Sequence, residues 1–163
     1  MESNIHFGNA LIESQLFIAD SDANLRNDLS KLNYKNFISI SQPIEMLFIC
    51  REIKDQESRI LIIEMLDKLI AACGVAKDKT QIFELNHETD YSLNMNLSNY
   101  AKRIFFFDIK PDEIHLHIQI EKYEIGNWAE SKIFYCDGLE FLLANKKNRV
   151  MLWSLLKQEF NIS

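Results

Sequence analysis

The chain has few of the residues that several functional classes require. Its 163 residues include only four glycines and two prolines. Phosphate-binding loops of the Walker and dinucleotide types are built from closely spaced glycines, and no such pattern occurs. Long disordered linkers are also rich in glycine or proline. The sequence therefore predicts no glycine-built phosphate loop, no cofactor and no long disordered linker.

Cysteine is equally scarce, with single residues at Cys50, Cys73 and Cys136. An odd number is a poor disulfide framework, and the spacing is too wide for a zinc knuckle. Each cysteine is flanked by apolar or helical sequence. We therefore expect reduced, buried thiols in a cytoplasmic protein.

An excess of basic charge and a long uninterrupted apolar run are both missing. The formal net charge of −6 argues against strong sequence-independent binding to nucleic acid, which depends on basic side chains. The N-terminus lacks the basic start and apolar run of a signal peptide. The most apolar long segment, 59–75, is interrupted by charged residues, so it should not span a membrane. Any work on DNA is then expected to go through a protein partner.

The first 30 residues differ from the rest because they are acidic and carry a short apolar pattern. Its members fall at near-helical spacing in part and are Phe7, Leu11, Ile12, Leu16 and Phe17. We predict that residues 1–30 form a partner-binding segment and that residues 31–163 form a single α/β domain. The alternative is a first helix that packs on its own domain.

Apolar runs in the remaining chain predict strands that alternate with helices. The strand candidates are Phe37–Ile40, Met46–Cys50, Gln81–Leu85, Arg103–Phe107 and Lys132–Cys136. A helix should open at Asp55 and run to about Cys73, with Gly74 as its C-cap. Its apolar residues cover more than half of its circumference, so we expect it to be largely buried. This order predicts an α/β sandwich of three layers with a mostly parallel central sheet.

The segment Glu113 to Ile125 alternates apolar and polar residues, which is typical of a half-exposed strand. On such a strand His115 and His117 project from the same face and could bind one metal ion. The candidates for a further ligand are Asp112, Glu121 and His87. The alternative is a solvated strand face without metal.

Other candidates lie at the ends of elements. Asp108 and Asp137 follow two strand candidates, at positions where α/β proteins commonly place their sites, although acids there are also ordinary turn residues. Trp128 stands in a sequence typical of a turn and is a candidate interface residue. The local basic patch is either a solvated helix start or a contact for DNA or an acidic partner, and it consists of Lys146, Lys147 and Arg149.

The last quarter of the chain has the order of residues with which one protein family ends. A short apolar helix, a polar break and a second amphipathic helix carry Leu142, Ala144, Asn145, Arg149, Leu152 and Trp153. With the preceding order of strand, loop, long helix and strand, this closing signature resembles the psi subunit of bacterial DNA polymerase III. The similarity covers nearly the whole chain, but residues 87–131 are longer and richer in predicted strand than in the family.

The resemblance implies a fold similar to the uracil-DNA glycosylases without their activity. It implies a non-enzymatic replication accessory protein whose N-terminal segment docks on the clamp-loader gamma/tau subunits. Its domain would hold the chi subunit and so link the loader to single-strand-binding protein. Phe7 and Phe17 stand where the family carries tryptophan. Two alternatives stay open: a small α/β hydrolase or glycosylase-like enzyme with a site near His115 and His117, and an unrelated interaction domain.

Overall fold

The computed structural model describes residues 37–38, 40–86, 91–93 and 95–162, and residues 38–163 form one compact unit. The proposed partner-binding segment 1–30 lies outside the described residues, together with its five apolar side chains. The candidate ligand His87 also lies outside them. Those interpretations therefore stay predictions, and the fold is that of the remaining domain.

A five-stranded sheet forms the centre of this domain. The described strands are β1 (Phe37–Ile38), β2 (Ile44–Arg51), β3 (Thr80–Leu85), β4 (Ser92–Leu93), β5 (Ala101–Phe107), β6 (Ile125–Trp128) and β7 (Ser131–Cys136). The central sheet has the order β3-β2-β5-β7-β6, and β1 pairs with β4 in a separate small sheet. Pairing is parallel from β3 through β7, whereas β6 runs antiparallel to β7. The predicted α/β class with a mostly parallel sheet is confirmed.

The helices pack together on one face of this sheet. They are α1 (Gln56–Ala72), α2 (Leu139–Ala144) and α3 (Lys146–Phe160). Under them lies an aromatic core in which Phe105 stacks on Phe134 with ring centroids 4.3 Å apart. The opposite face is covered by irregular chain that includes Leu97, Ile109 and Ile114, all buried. Both faces are thus covered, which explains why the parallel strands read as continuous apolar runs.

Helix α1 has the predicted ends but not the predicted burial. The Asp55 carboxylate accepts a hydrogen bond of 2.7 Å from the Ser58 backbone N–H, and Gly74 takes a φ of +69° just past the helix. Only one stripe of the helix touches the sheet, with Ile62, Leu66 and Ile70 buried. The apolar residues beside that stripe stay in solvent, with exposures of 59% for Ile60, 49% for Leu61 and 39% for Ile63.

The predicted strand over Glu113 to Ile125 is wrong. A 3₁₀ helix, Pro111–Ile114, opens the segment, His115 takes a left-handed φ of 58°, and no residue from 115 to 124 belongs to a strand. The alternation reports burial rather than pairing, since the apolar side chains 114, 116, 118 and 120 all pack on the sheet. An extended chain that lies across a core produces the same pattern as a strand in a ladder.

Trp128 is also placed differently from the prediction. It is the last residue of β6, pairs with Ser131 across the hairpin, and is only 8% exposed. The turn follows it at Ala129 and Glu130. Its side chain belongs to the core, so the interpretation of Trp128 as an interface residue is wrong.

Candidate functional site

The strands that follow β2 in the chain lie on both sides of it, so the sheet has a topological switch point between β2 and β5. From β2 the chain continues to β3 on one side, and β5 then lies on the other side of β2. Ligand sites in open α/β sheets form outside the carboxyl ends of strands at such a switch point. Here that edge opens as a cleft of about 630 Å³, which we call the carboxyl-edge cleft. Its lining includes Arg51, Glu52, Ile53, Asp108, Lys122, Asp137, Gly138, Glu140 and Phe141.

Asp137, directly after β7, is the most completely hydrogen-bonded acid of this cleft. Lys122 Nζ donates to its Oδ1 at 2.5 Å, while Tyr123 Oη and Asn148 Nδ2 donate to its Oδ2 at 2.6 and 2.7 Å. Burial alone would raise the pKa of Asp137, but these three hydrogen bonds favour the carboxylate and hold its pKa below the usual value. Both oxygens are therefore engaged, and the group is held as a charged structural anchor.

The pKa values of two groups that contact Asp137 are shifted in the opposite direction, upward. The hydrogen bond to Asp137 raises the pKa of Lys122, which keeps this ammonium charged. Burial, and then the hydrogen bond to Asp137, raises the pKa of Tyr123. Both groups stay protonated near neutral pH, so neither is suited to act as a general base.

Asp108, directly after β5, is brought to the same cleft but is held loosely. Its side chain is 62% exposed, and its Oδ1 lies 3.8 Å from Lys122 Nζ. Its φ of 54° is left-handed, and a Cβ at Gly138 would stand 3.3 Å from the Asp108 Cβ. The sequence left Asp108 and Asp137 as either site candidates or ordinary turn residues. The structure brings both carboxylates close to Lys122, at 3.8 and 2.5 Å from its Nζ.

Ion pairs hold the end of β2 and the loop that follows it, which line one side of the cleft. Arg59 of α1 donates to both carboxylate oxygens of Glu84, at 2.7 and 2.6 Å, and to the Ile53 carbonyl at 3.1 Å. Glu84 in turn accepts from the Ile53 backbone N–H at 3.2 Å. Arg51, which lines the cleft at the end of β2, pairs with Glu113 of the 3₁₀ helix. These contacts tie the loop after β2 to β3 and to the 3₁₀ helix.

The cysteines offer no activated nucleophile. Cys50 and Cys136 are buried, and burial raises the pKa of each thiol to about 12. Cys73 is partly exposed, and burial raises its pKa to about 11. A reactive cysteine needs the opposite shift toward the thiolate. All three cysteines are free, and Cys50 and Cys136 are buried as expected. The expectation of burial is wrong for Cys73, which is partly exposed.

The histidines are not arranged as the strand pattern predicted. His115 and His117 are both exposed, and they flank the buried Leu116 on irregular chain rather than on a strand. Across residues 37–38, 40–86, 91–93 and 95–162 no group of three His, Cys, Asp or Glu side chains could hold a metal ion. The metal hypothesis required both histidines to project from one face of a strand, and the structure does not support that arrangement.

The residues of the closing signature have structural roles. Arg149 Nη1 donates to the Leu142 carbonyl at 2.8 Å and also to the Leu143 carbonyl, which satisfies the carbonyl end of α2. Asn145 Nδ2 donates to the Phe141 carbonyl at 2.9 Å, and Leu142 and Leu152 are buried. The signature thus specifies how α2 and α3 join.

Sequence reasoning missed the three donors around Asp137, because Lys122, Tyr123 and Asn148 have no local pattern that links them to it. It also missed Phe141, whose side chain lines the carboxyl-edge cleft and is 51% exposed. An aromatic residue near the start of a short apolar helix is typical of a buried core residue. Only its position beside the cleft shows that it faces outward.

Neither the comparison of the chain with protein-family models nor the comparison with curated proteins finds a match. Within the described part of the chain, no helix combines the length and apolar character needed to cross a membrane.

Proposed function

We propose that this chain is a cytoplasmic, non-catalytic replication accessory protein of the psi type, which joins a clamp loader to a chi-like partner. Segment 1–30 contacts the loader through Phe7, Leu11, Ile12, Leu16 and Phe17. The α/β domain provides the second contact. Two linked contacts raise the effective concentration of the joined partners without any chemistry by the linking protein.

The observation that carries the proposal is the full engagement of Asp137. In a hydrolase or glycosylase with a site in this cleft, an acid with access to substrate would have to accept a proton or orient a water. Asp137 has a lowered pKa and three donors on its two oxygens, which makes it a poor base. A cleft with this arrangement supports a binding surface better than a reaction centre.

Phe141 supports the second contact of the domain. Half of this side chain is exposed at the lip of the carboxyl-edge cleft, with charged residues such as Arg51 and Glu140 in the same lining. Apolar aromatic anchors surrounded by polar groups dominate the energy of protein interfaces. We assign Phe141 as the anchor of the domain for the chi-like partner.

The test uses the purified full-length chain with a purified clamp loader and chi subunit, each binding measured by titration. Truncating a central aromatic anchor typically costs about 2 kcal/mol, or roughly thirtyfold in affinity. Phe17→Ala should weaken loader binding by this factor and leave chi binding unchanged. Phe141→Ala should do the reverse.

Tyr100→Ala is the matched control, since Tyr100 is an aromatic with 38% exposure just before β5, at the opposite edge of the sheet. It should leave both affinities unchanged. Failure of the unaltered chain to bind either protein would overturn the psi-type function. If Phe141→Ala leaves chi binding unchanged, the carboxyl-edge cleft is not the contact for chi.

A further inference from the structure

The outward face of α1 combines apolar and acidic side chains in its first half. Ile60 and Leu61 are 59% and 49% exposed. Glu57 precedes Ile60 by one helical turn and Glu64 follows it by one turn, so all three lie on one side of the helix. Both glutamates are exposed, and neither has an ion pair or hydrogen bond from its side chain within the described residues. This face is therefore an apolar surface with a negative charge on each side of it along the helix.

The outward face of α3 combines apolar and basic side chains in its first half. Val150 and Met151 are 55% and 40% exposed. Lys147 precedes Val150 by three residues, and Lys146 stands beside it at the helix start. Neither lysine pairs with a described carboxylate. The charge of this face is opposite to that of α1.

The two faces lie at the same height over the sheet. Arg59 of α1 contacts Glu84, which is in register with Cys50, and Asn148 of α3 contacts Asp137, which follows Cys136. Cys50 and Cys136 are both in register with Phe107. The first turns of α1 and α3 are therefore level with each other, at the carboxyl edge.

The helices also run in the same direction. At the far end of α3, Glu159 accepts from Arg103 Nε at 2.8 Å, near the start of β5. Helix α1 likewise leads from the end of β2 back to the start of the parallel strand β3. Ile60 with Leu61 and Val150 with Met151 thus occupy equivalent levels on two parallel helices.

We propose that the helical face binds a second copy of this chain in a symmetric dimer. A two-fold axis parallel to α1 and α3 places α1 of each protomer on α3 of the other. Rotation about this axis moves no residue along the helices, so residues that are level within one protomer also face each other in the dimer. Ile60 and Leu61 then meet Val150 and Met151 of the partner subunit, and Glu57 meets Lys147 of the partner subunit. The same complementary contact forms twice. The inference is independent of the proposed replication role.

The test is a charge exchange in the full-length chain, measured by analytical ultracentrifugation over a range of concentrations. The unaltered chain should show a species of twice the 19.1 kDa chain mass. Glu57→Lys and Lys147→Glu should each raise the dissociation constant by at least about tenfold, since each puts two like-charge pairs in the interface. The double variant exchanges the charges and should return to within about threefold of the unaltered chain.

Glu124→Lys is the matched control, because Glu124 is exposed in a turn before β6 and should not affect the dimer. Circular dichroism of every variant checks folding. A chain that remains at 19.1 kDa at its highest soluble concentration overturns the proposal. So does a dimer that neither single reversal weakens, or one that the double variant fails to restore.

Discussion

Replacing Asp137 with asparagine tests whether the carboxylate is a structural anchor. The substitution keeps the size of the side chain but removes the charge that holds Lys122, Tyr123 and Asn148 at 2.5–2.7 Å. It also turns an amide NH₂ toward groups that are themselves donors. The Asp137 side chain is only 15% exposed, so water replaces these contacts poorly.

The size of the effect follows from those contacts. A hydrogen bond to a charged group contributes about 1.5–3 kcal/mol when buried. Because the Lys122 side chain is 40% exposed and solvent weakens its contribution, we expect Asp137→Asn to lower the free energy of unfolding by about 2 kcal/mol at pH 7. Urea unfolding followed by the fluorescence of Trp128 and Trp153 measures this difference.

The pH dependence gives a second, independent readout. The pKa of Asp137 is lower in the folded than in the unfolded chain. Its contribution is therefore complete above the unfolded pKa, which is about 3.9 for aspartate. It is lost as the pH falls through the folded pKa. The difference between the unaltered chain and Asp137→Asn should therefore be constant from pH 5 to 7 and shrink below about pH 4.

Asp108→Asn is the control within the same cleft. Its carboxylate is 62% exposed and 3.8 Å from Lys122, so we expect a change below about 0.5 kcal/mol. A stability of Asp137→Asn equal to that of the unaltered chain at pH 7 would refute the anchor role. A deficit that stays constant down to pH 2 would assign the effect to shape rather than charge.

Three further predictions concern the helices and thiols. Gly74→Ala should lower the free energy of unfolding by about 1 kcal/mol, because φ is +69°. No other part of the fold lies within 4 Å of the new Cβ, so backbone strain alone causes the loss, and an unchanged thermal unfolding would contradict the strain argument. Arg149→Met should lower stability by about 1–3 kcal/mol in urea by leaving carbonyls of α2 without a donor, and no loss would deny the capping role. A negatively charged thiol reagent at pH 8 should modify Cys50 and Cys136 only after unfolding, whereas rapid modification of either native thiol would contradict their burial.

Local sequence was sufficient where an element depends on its own residues. The continuous apolar runs at Met46–Cys50 and Ile104–Phe107 lie in β2 and β5, because the parts of strands covered on both faces are nearly continuous in apolar residues. Asp55 and Gly74 marked the ends of α1, because capping depends on backbone geometry within a few residues.

Sequence was insufficient where burial depends on which elements are neighbours. The apolar residues of α1 cover most of its circumference, yet the sheet accepts only one stripe, and Ile60 and Leu61 remain in solvent. The segment after Glu113 alternates as a strand does, yet residues 115–124 do not belong to a strand, so its histidines do not share a strand face. Periodicity records which side chains avoid water and does not identify what covers them.

The amino-acid sequence by itself determined the α/β class, the order of the main strands and helices, and the positions of Asp108 and Asp137 at strand ends. Tertiary structure alone decided that these two acids share Lys122, that Tyr123 and Asn148 complete the shell of Asp137, and that opposite charges lie level on α1 and α3. The reason is physical. Secondary structure follows from interactions within a few residues, whereas a site forms where the order of strands brings distant residues to one edge.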